Sequence, residues 1–230
     1  DLSLSRLRSQ ACLRMIAEQS YMMDGGDVSG RGSAWLPLGF DDQIFRPLED
    51  RPLWDVLFVG NIFRVGYETR KQFFEKLRFS VLGRKCRIGY VGSLPSRLAN
   101  RTRHLHGTVH WISTGLPIRQ LARVVASSSI CVNVHQDEGH QPVNPMVFAI
   151  GGCRSCLVTD RRRYLGHWTG PEDAYIAASA DDLVPTLEKL LASPDRVEVI
   201  AASGYRSALN HTFVRRVQRI LGDMGFGSYP

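Results

Sequence analysis

The sequence predicts an α/β protein built on a doubly wound parallel sheet. Three observations indicate this fold class. From Trp54 onward, short β-branched apolar runs alternate with segments of helical periodicity. Turn residues separate the two kinds of segment, and no internal repeat or low-complexity tract interrupts them. Strands that alternate with helices have to run parallel, with the helices as crossovers on both faces of the sheet.

Composition limits the class of protein further. The chain has 230 residues, of which 43% are hydrophobic, and a net charge of +7. No apolar run approaches the roughly 20 residues of a membrane span. The five cysteines are an odd number without a secreted framework, which favours a reducing compartment. Since no secretory signal is visible, we expect a cytoplasmic protein with no membrane span, and the start at Asp1 indicates a fragment or a processed product.

Four segments precede the alternating part of the chain. Residues 2–21 have the apolar spacing of a basic amphipathic helix. Residues 24–33 contain four glycines and predict a loop, and residues 34–36 predict a short strand. Residues 37–47 begin and end with proline and predict a connector.

The alternating part contains six predicted strands and six predicted helices. Residues 97–104 are either a short helix or a loop. The strands are residues 55–59, 86–91, 108–111, 130–134, 157–159 and 174–178. The helices are residues 68–79, 118–125, 145–150, 183–191, 195–209 and 212–221.

The helix that begins at Pro145 carries the main functional prediction. Asn144 is a strong N-cap residue, and proline at the first helical position is typical of a helix start. Gly151 and Gly152 are expected to end the helix. The opening of a helix beside the carboxyl end of a strand offers N–H groups and a positive dipole end, so we predict an anion site there.

Ligands of doubly wound sheets bind outside the carboxyl ends of the strands, near the point where the strand order reverses. This rule nominates six residues before any family is considered: Gly60, Asn61, Gly92, Ser93, His135 and Asp160.

Several motifs, taken in order, resemble the C-terminal half of a GT-B glycosyltransferase. The motifs are LPLGFDDQIFRP, WDVLFVGN, the later Arg70, VNVH, an asparagine that opens a VF helix, CLVTD and GYRSALNHTFVRRV. The last one fits the closing element of the spore-maturation-protein (CgeB-like) type, on Gly204, His211, Thr212 and Arg216. The resemblance covers residues 34–222, and it extends to the glycosyl transferases group 1 family.

This resemblance implies a Rossmann-like donor-binding domain and a reaction. We expect residues 1–36 to be the remnant of an N-terminal, acceptor-side domain and residues 37–53 to be the interdomain connector. Residues 54–222 would be the nucleotide-sugar donor-binding domain, and residues 223–230 a C-terminal tail. The implied reaction moves a sugar from a nucleoside diphosphate to an acceptor hydroxyl. A missing N-terminal domain or a partner chain would complete the cleft and supply any catalytic base.

The resemblance also assigns site residues. His135, which ends its strand, is the catalytic candidate. The expected donor-binding residues are Gly60, Asn61, Arg64, Arg70, Asn144, Met146, Val147, Phe148 and Ala149. Glycine lets backbone N–H groups approach a diphosphate, and the two arginines are candidate phosphate partners. No metal or other cofactor is expected, because the helix start and the arginines would stabilise the departing diphosphate.

Three departures from the relatives favour an alternative, a catalytically degenerate member that acts as a scaffold or regulatory partner. Relatives usually have a glutamate after the VF pair, which accepts hydrogen bonds from the ribose hydroxyls, and this chain has Ala149. They often have an arginine where this chain has Met146, and a glycine that lets the donor loop pack closely where it has Arg154.

Other classes fit the sequence less well. His104, His106 and His110 lie far in sequence from the single Cys153-x-x-Cys156 pair, so we predict no structural metal site. The basic segments lack interleaved aromatic residues, so nucleic acid is not the expected partner. A serine-hydrolase elbow and a dinucleotide-binding glycine fingerprint are both absent from the sequence.

Overall fold

The computed structural model describes residues 14–16, 33–35, 38–49, 52–62, 66–80, 82, 85–93, 104–105, 109–113, 115–135, 143–162, 165 and 175–223. Its strands are β1 Arg14–Ile16, β2 Ser33–Trp35, β3 Trp54–Val59, β4 Ile88–Val91, β5 His104–Leu105, β6 Val109–Ser113, β7 Ser128–Val132, β8 Cys156–Asp160 and β9 Ile176–Ala178. Its α-helices are α1 Glu68–Arg78, α2 Ile118–Ala126, α3 Pro145–Gly152, α4 Leu183–Leu191, α5 Pro194–Ala208 and α6 Phe213–Asp223. A 3₁₀ turn, Leu209–His211, joins α5 to α6.

The main sheet has the strand order β5-β6-β4-β3-β7-β8-β9. Every pairing in it is parallel except that of β5 with β6. The six parallel strands follow the order of a dinucleotide-binding Rossmann sheet, in which the chain starts at the centre and moves outward twice. The predicted doubly wound α/β fold is therefore confirmed. The strand order reverses between β3 and β7, which places the expected ligand crevice at their carboxyl ends.

Helices cover both faces of the sheet, as the unbroken apolar strands require. On one face α1, α4 and α5 pack over residues such as Phe58 and Ile130, which are fully buried. On the other face α2 and α3 pack over Leu57 and Leu157. The connector contributes Phe40 and Phe45 to this second face. The helix spacing predicted these buried faces, since Phe73, Phe74 and Leu77 of α1 all point into the first layer.

One element prediction is wrong. Residues 2–21 are not one helix, because Arg14–Ile16 forms a strand that pairs in parallel with Ser33–Trp35. Pairing between chain segments has overridden the helical spacing here, and the rest of residues 2–21 lies outside the described residues. Of residues 97–104, only His104 is described, and it belongs to β5. The strand predicted at 34–36 is observed at Ser33–Trp35.

The two glycines expected to end α3 are its last two helical residues. Their role is close packing. A Cβ atom on Gly151 would lie 2.9 Å from the carbonyl oxygen of Gly204 in α5, and one on Gly152 would lie 2.3 Å from the ring of Phe40. Both contacts are too close for any side chain, so α3 tolerates glycine's lower helix propensity in exchange for this fit.

Candidate functional site

Five polar side chains meet at the carboxyl ends of β3, β4, β7 and β8, and we call them the carboxyl-edge cluster: Asn61, Ser93, Asn133, His135 and Asp160. Asn61 Oδ1 accepts a hydrogen bond of 2.9 Å from the backbone N–H of Ser93, which joins the end of β3 to that of β4. Asn133 Nδ2 donates one of 2.9 Å to the carbonyl of Val59, which joins β7 to β3. The cluster therefore occupies the point where the strand order reverses.

His135 and Asp160 form a buried pair across the ends of β7 and β8. Only 1% of the His135 surface and 5% of the Asp160 surface are exposed. Asp160 Oδ1 lies 2.7 Å from His135 Nδ1 and accepts a second hydrogen bond, of 2.9 Å, from the backbone N–H of His135. Asp160 Oδ2 accepts one of 2.5 Å from Arg162 Nε.

These partners determine the charge of Asp160. Burial alone would raise the pKa of its carboxyl group, but the hydrogen bonds from His135 and the positive charge of Arg162 hold the pKa well below its usual range. Asp160 is therefore a carboxylate at neutral pH, and it can only accept hydrogen bonds. The sequence nominated Asp160 only as a strand end, because its pairing with His135 depends on the alignment of β7 with β8.

Arg70 lies beneath the cluster and ties two strands together. Its Nε donates a hydrogen bond of 2.8 Å to the carbonyl of Val134, and its Nη1 donates one of 3.2 Å to the carbonyl of Asn61. Gly60 has a φ of +146°, and a Cβ atom there would lie 3.1 Å from Arg70 Cδ. The space that glycine leaves beside the backbone is thus taken by Arg70. Phosphate contacts by Gly60 and Arg70 stay predictions, and Arg64 lies outside the described residues.

The opening of α3 is capped as the sequence predicts, and the cap has a consequence that the anion-site prediction omitted. Asn144 Oδ1 accepts a hydrogen bond of 3.0 Å from the N–H of Met146. The N–H of Val147 donates one of 3.0 Å to the carbonyl of Asn144, and Pro145 has no N–H. Asn144 therefore satisfies both amides in the first turn. The positive end of the helix dipole remains, but an anion would have to displace the Asn144 side chain to reach the Met146 N–H.

Three of the predicted donor-binding residues on α3 are core residues. Val147, Phe148 and Ala149 have 2–3% of their surface exposed and belong to the apolar layer under the helix. Met146 is half-buried at the margin of this layer. Direct contacts of these four residues with a donor stay predictions, and the burial of Val147, Phe148 and Ala149 disfavours them.

Arg154 is not at a donor loop, so that interpretation is wrong. It follows α3 with a φ of +57°, the left-handed conformation that commonly ends a helix and that favours glycine. It lies at the amino-terminal side of the sheet, beside a cleft that Asp55 and Ser128 also line. A glycine in relatives is explained by this backbone conformation.

Three of the four residues that resemble the closing family element lie together with two phenylalanines. We call these five residues the clasp: Phe40, Phe148, His211, Thr212 and Arg216. The fourth, Gly204, packs against Gly151 of α3. The connector forms a parallel bridge with the α5–α6 junction. The N–H of Phe40 donates to the carbonyl of His211 at 3.2 Å, and the N–H of Phe213 donates to the carbonyl of Phe40 at 2.9 Å. Thr212 Oγ1 accepts from the N–H of Arg215 at 3.2 Å, so Thr212 caps α6.

Side chains complete the clasp. The rings of Phe148 and His211 stack with their centroids 4.4 Å apart. Arg216 donates a hydrogen bond of 2.6 Å to His211 Nδ1. Burial, followed by the positive charge of Arg216, lowers the pKa of His211 to about 4, so its ring is neutral at physiological pH. The closing element therefore holds the connector to the last helix.

Two surveys of the described residues bear on the other predictions. No group of three or more histidine, cysteine, aspartate or glutamate side chains within the described ranges is arranged to hold a metal ion. Among the same residues, no helix has the length and apolar character that crossing a bilayer requires.

Comparison with known proteins settles the family. The family model described as glycosyl transferase-like matches residues 70–222, which include most of the carboxyl-edge cluster and most of the clasp. The chain belongs to this glycosyl transferase-like family. No curated protein matches the sequence.

Solved structures confirm the fold. The sucrose-phosphate synthase of Thermosynechococcus elongatus has a TM-score of 0.67 and 16% identity, over 97% of this chain and 60% of its own. Anabaena HepE, solved with UDP-glucose, has a TM-score of 0.68 and 12% identity, over 97% of this chain and 68% of its own. The C-terminal domain of LpcC from Francisella tularensis has a TM-score of 0.58 and 14% identity, over 75% of this chain and 97% of its own. The predicted likeness to the C-terminal half of a GT-B fold is confirmed, and the chain spans about 60% of the synthase.

Proposed function

We propose that this chain is the donor-binding part of a glycosyltransferase that moves a sugar from a nucleoside diphosphate to an acceptor hydroxyl. The observation that carries the proposal is the family match over residues 70–222, because it spans the Rossmann-like unit from α1 almost to the end of α6. The polar cluster where the strand order reverses supports it, since ligands of such sheets bind there. The bounds of the acceptor-side remnant and of the connector stay part of this proposal.

In the proposed reaction, the bond between the anomeric carbon and the diphosphate oxygen breaks. The acceptor oxygen forms the new bond to that carbon and loses its proton, and the nucleoside diphosphate departs with the bonding electron pair. A base that takes the proton would come from the acceptor-side domain or from a partner chain. We propose that His135, the catalytic candidate, contacts the nucleotide sugar at the carboxyl ends of β7 and β8.

We propose that the negative charge of the departing diphosphate is stabilised without a divalent metal. The positive dipole end of α3 is worth about 0.3–1 kcal/mol to a nearby anion. Displacement of the Asn144 side chain by a phosphate oxygen would add the Met146 N–H, which is now bonded at 3.0 Å to Asn144 Oδ1. Undiminished transfer in the presence of EDTA is the expected result, and a requirement for Mg²⁺ or Mn²⁺ would contradict it.

We propose a cytoplasmic location. The four described cysteines, Cys86, Cys131, Cys153 and Cys156, are free thiols. Burial raises the pKa of each, to about 11 for Cys86 and about 12 for Cys153 and Cys156, which disfavours the reactive thiolate form. This is consistent with a reducing compartment.

Calorimetric titration with UDP-, GDP- and TDP-sugars tests the proposed function, and UDP-glucose is the first probe because HepE was solved with it. We expect one of these ligands to bind. The change Asn144→Asp keeps a good helix cap and adds a negative charge where the diphosphate would lie, so it should weaken binding at least tenfold. Ser128→Ala, at the other end of β7, is the matched control and should bind as the unaltered chain does.

The rival classes give different results in the same set of experiments. If the unaltered chain bound none of the nucleotide sugars, the proposed function would be overturned in favour of a scaffold or regulatory partner. A nucleic-acid-binding protein would retain DNA or RNA on a filter with an affinity that falls steeply with salt. We expect no such retention.

A further inference from the structure

Three buried atoms of the carboxyl-edge cluster have no hydrogen-bond partner among the residues that the structure describes: Ser93 Oγ, Asn133 Oδ1 and His135 Nε2. The Ser93 hydroxyl can either donate or accept, whereas the other two atoms belong to side chains with only 2% and 1% of their surface exposed. A buried polar atom left unsatisfied costs free energy, and folded proteins contain few of them. Such atoms at the ligand edge of the sheet indicate groups that a bound molecule satisfies.

The contact with Asp160 determines which nitrogen of His135 carries a hydrogen, and so whether Nε2 donates or accepts a hydrogen bond. Because Asp160 is a carboxylate, the hydrogen of the 2.7 Å contact has to be on His135 Nδ1. When the imidazole is neutral, that hydrogen is the only one on the ring, so Nε2 is then an acceptor. The backbone N–H of His135 donates to the same oxygen of Asp160, so this oxygen holds both the backbone and the ring of His135 in position.

The orientation of the Asn133 amide follows from Val59. Asn133 Nδ2 donates to the carbonyl of Val59 at 2.9 Å. Exchanging the amide oxygen and nitrogen would bring two acceptor oxygens together, so the unsatisfied atom is the oxygen. Asn133 Oδ1 and His135 Nε2 are therefore both acceptors.

Because both atoms are acceptors, they can bind only a group that donates a hydrogen bond. Phosphate and carboxylate oxygens carry no hydrogens at neutral pH and would be repelled, whereas hydroxyl groups donate. The two acceptors therefore favour a ligand that presents hydroxyl groups.

We infer that Asn133 Oδ1 and His135 Nε2 bind hydroxyl groups of the nucleotide sugar, and that Asp160 is the positioning residue that keeps His135 in the accepting form. The identity of the ligand rests on the proposed function. The position of the hydrogen on the His135 ring does not rest on it. The hydroxyl contact and the positioning role of Asp160 can therefore be refuted separately.

Long-range ¹⁵N–¹H NMR of histidine-labelled protein at pH 8 tests the positioning role, with no ligand present. We expect His135 to carry its hydrogen on Nδ1 and His211, whose Nδ1 accepts from Arg216, to carry it on Nε2. The variants His135→Asn and His211→Asn assign the two signals. Asp160→Asn should shift His135 toward the Nε2–H form. A hydrogen on Nε2 of His135 in the unaltered chain, or no change in Asp160→Asn, would overturn this part.

Calorimetry tests the hydroxyl contact. His135→Asn keeps a donor to Asp160, because the asparagine Nδ2 stands where His135 Nδ1 stood, and it removes only the acceptor. We expect affinity to fall about tenfold, the loss of one hydrogen bond, while Ser128→Ala has no effect. If His135→Asn did not fold, Asn133→Ser would provide the same measurement.

Three ligands locate the hydroxyl: UDP-glucose, UDP and 2′-deoxy-UDP. A loss for UDP-glucose alone supports the sugar as its source. Equal losses for UDP-glucose and UDP support the ribose, and a smaller loss for 2′-deoxy-UDP identifies its 2′ group. Unchanged affinity for all three would overturn the inference. If the unaltered chain bound none of them, the proposed function and the ligand would both be rejected, whereas the NMR result would still decide the role of Asp160.

Discussion

His135 and His211 are both buried histidines, yet their neighbours give them opposite properties. In the carboxyl-edge cluster, the carboxylate of Asp160 lies 2.7 Å from His135 Nδ1, so Nε2 is the accepting nitrogen. In the clasp, the guanidinium of Arg216 lies 2.6 Å from His211 Nδ1, so Nδ1 is the accepting nitrogen. His135 Nε2 has no partner among the described residues, whereas His211 stacks on Phe148 and shares its hydrogen bond with Arg216.

The difference separates the region where we propose that a ligand binds from a region whose contacts hold chain segments together. Partners within the chain occupy the clasp, and they come from both ends of the described domain. The carboxyl-edge cluster instead leaves acceptor atoms buried and unsatisfied, which reduces stability unless a ligand is bound. The chemical identity of a histidine therefore says less about its function than the charge beside it.

The largest expected effect comes from breaking the clasp. Phe40→Ala removes a ring that is 3% exposed and fills the space beside Gly152, so the free energy of unfolding should fall by about 3–5 kcal/mol. Urea unfolding measures the loss. Phe213→Ala is the matched control, because Phe213 lies next to the same bridge but is 52% exposed, and it should cost about 0.5 kcal/mol or less. Equal losses would contradict the assignment of Phe40 to the clasp.

The second largest expected effect is a change of the free energy of unfolding with pH, and its cause is the lowered pKa of His211. Its pKa is about 4 in the folded protein and 6.5 ordinarily, so the unfolded chain binds the proton more tightly. Stability is then full above pH 6.5 and falls as the pH is lowered toward 4, by at most about 3 kcal/mol. His211→Asn should flatten the dependence of urea-unfolding stability on pH between pH 7 and 4.5, and an unchanged slope in this variant would contradict the prediction.

The carboxyl group of Asp160 changes the stability in a separate, lower range of pH. Its pKa is lowered from an ordinary 3.8, so its stabilisation is present above about pH 4 and is lost as the pH falls further.

A third experiment compares one hydroxyl group from each region. Thr212→Val keeps the shape of the side chain and removes the cap of α6, so it should cost about 1 kcal/mol. Ser93→Ala removes a buried hydroxyl oxygen that has no hydrogen-bond partner within the described ranges, so it should cost nothing or slightly stabilise the protein. Thermal unfolding of both variants is the measurement. A clear loss in Ser93→Ala would show that the carboxyl-edge cluster is held together as tightly as the clasp.

The smallest effect lies outside both regions, at the end of α3. Arg154 has a φ of +57°, and glycine adopts this conformation without strain. Arg154→Gly gives up an exposed ion pair with Glu198 and should still raise the free energy of unfolding by up to about 1 kcal/mol. Ligand affinity should not change. Weaker nucleotide binding by the Arg154→Gly variant would show that Arg154 does contribute to the donor site.

Periodicity and turn residues were enough to predict the fold from β3 onward. The buried spacing of Phe73, Phe74 and Leu77 and the strand that leads to His135 both depend on local sequence, and both are confirmed. The strand Arg14–Ile16 was missed because its pairing partner lies elsewhere in the chain. The six residues nominated at strand ends include four members of the cluster, because the carboxyl-edge rule needs only the strand order.

The roles within the site were harder to predict. Nothing near Arg70 in sequence indicates that the carbonyls of Asn61 and Val134 would take its guanidinium. The Asn144 cap could have corrected the anion-site prediction, since a side chain that caps a helix also occupies its first amides. The partnership of His135 with Asp160 depends on the register of β7 with β8, which no local pattern encodes.

The bridge between Phe40 and Thr212 has a consequence for engineering the gene. It joins the beginning of the described domain to the start of its last helix, so a flexible linker from residue 223 to residue 38 would close the polypeptide into a ring. New termini could then be opened at Ala192–Ser193, the exposed turn between α4 and α5. Such a circular permutant keeps every strand of the main sheet in its place.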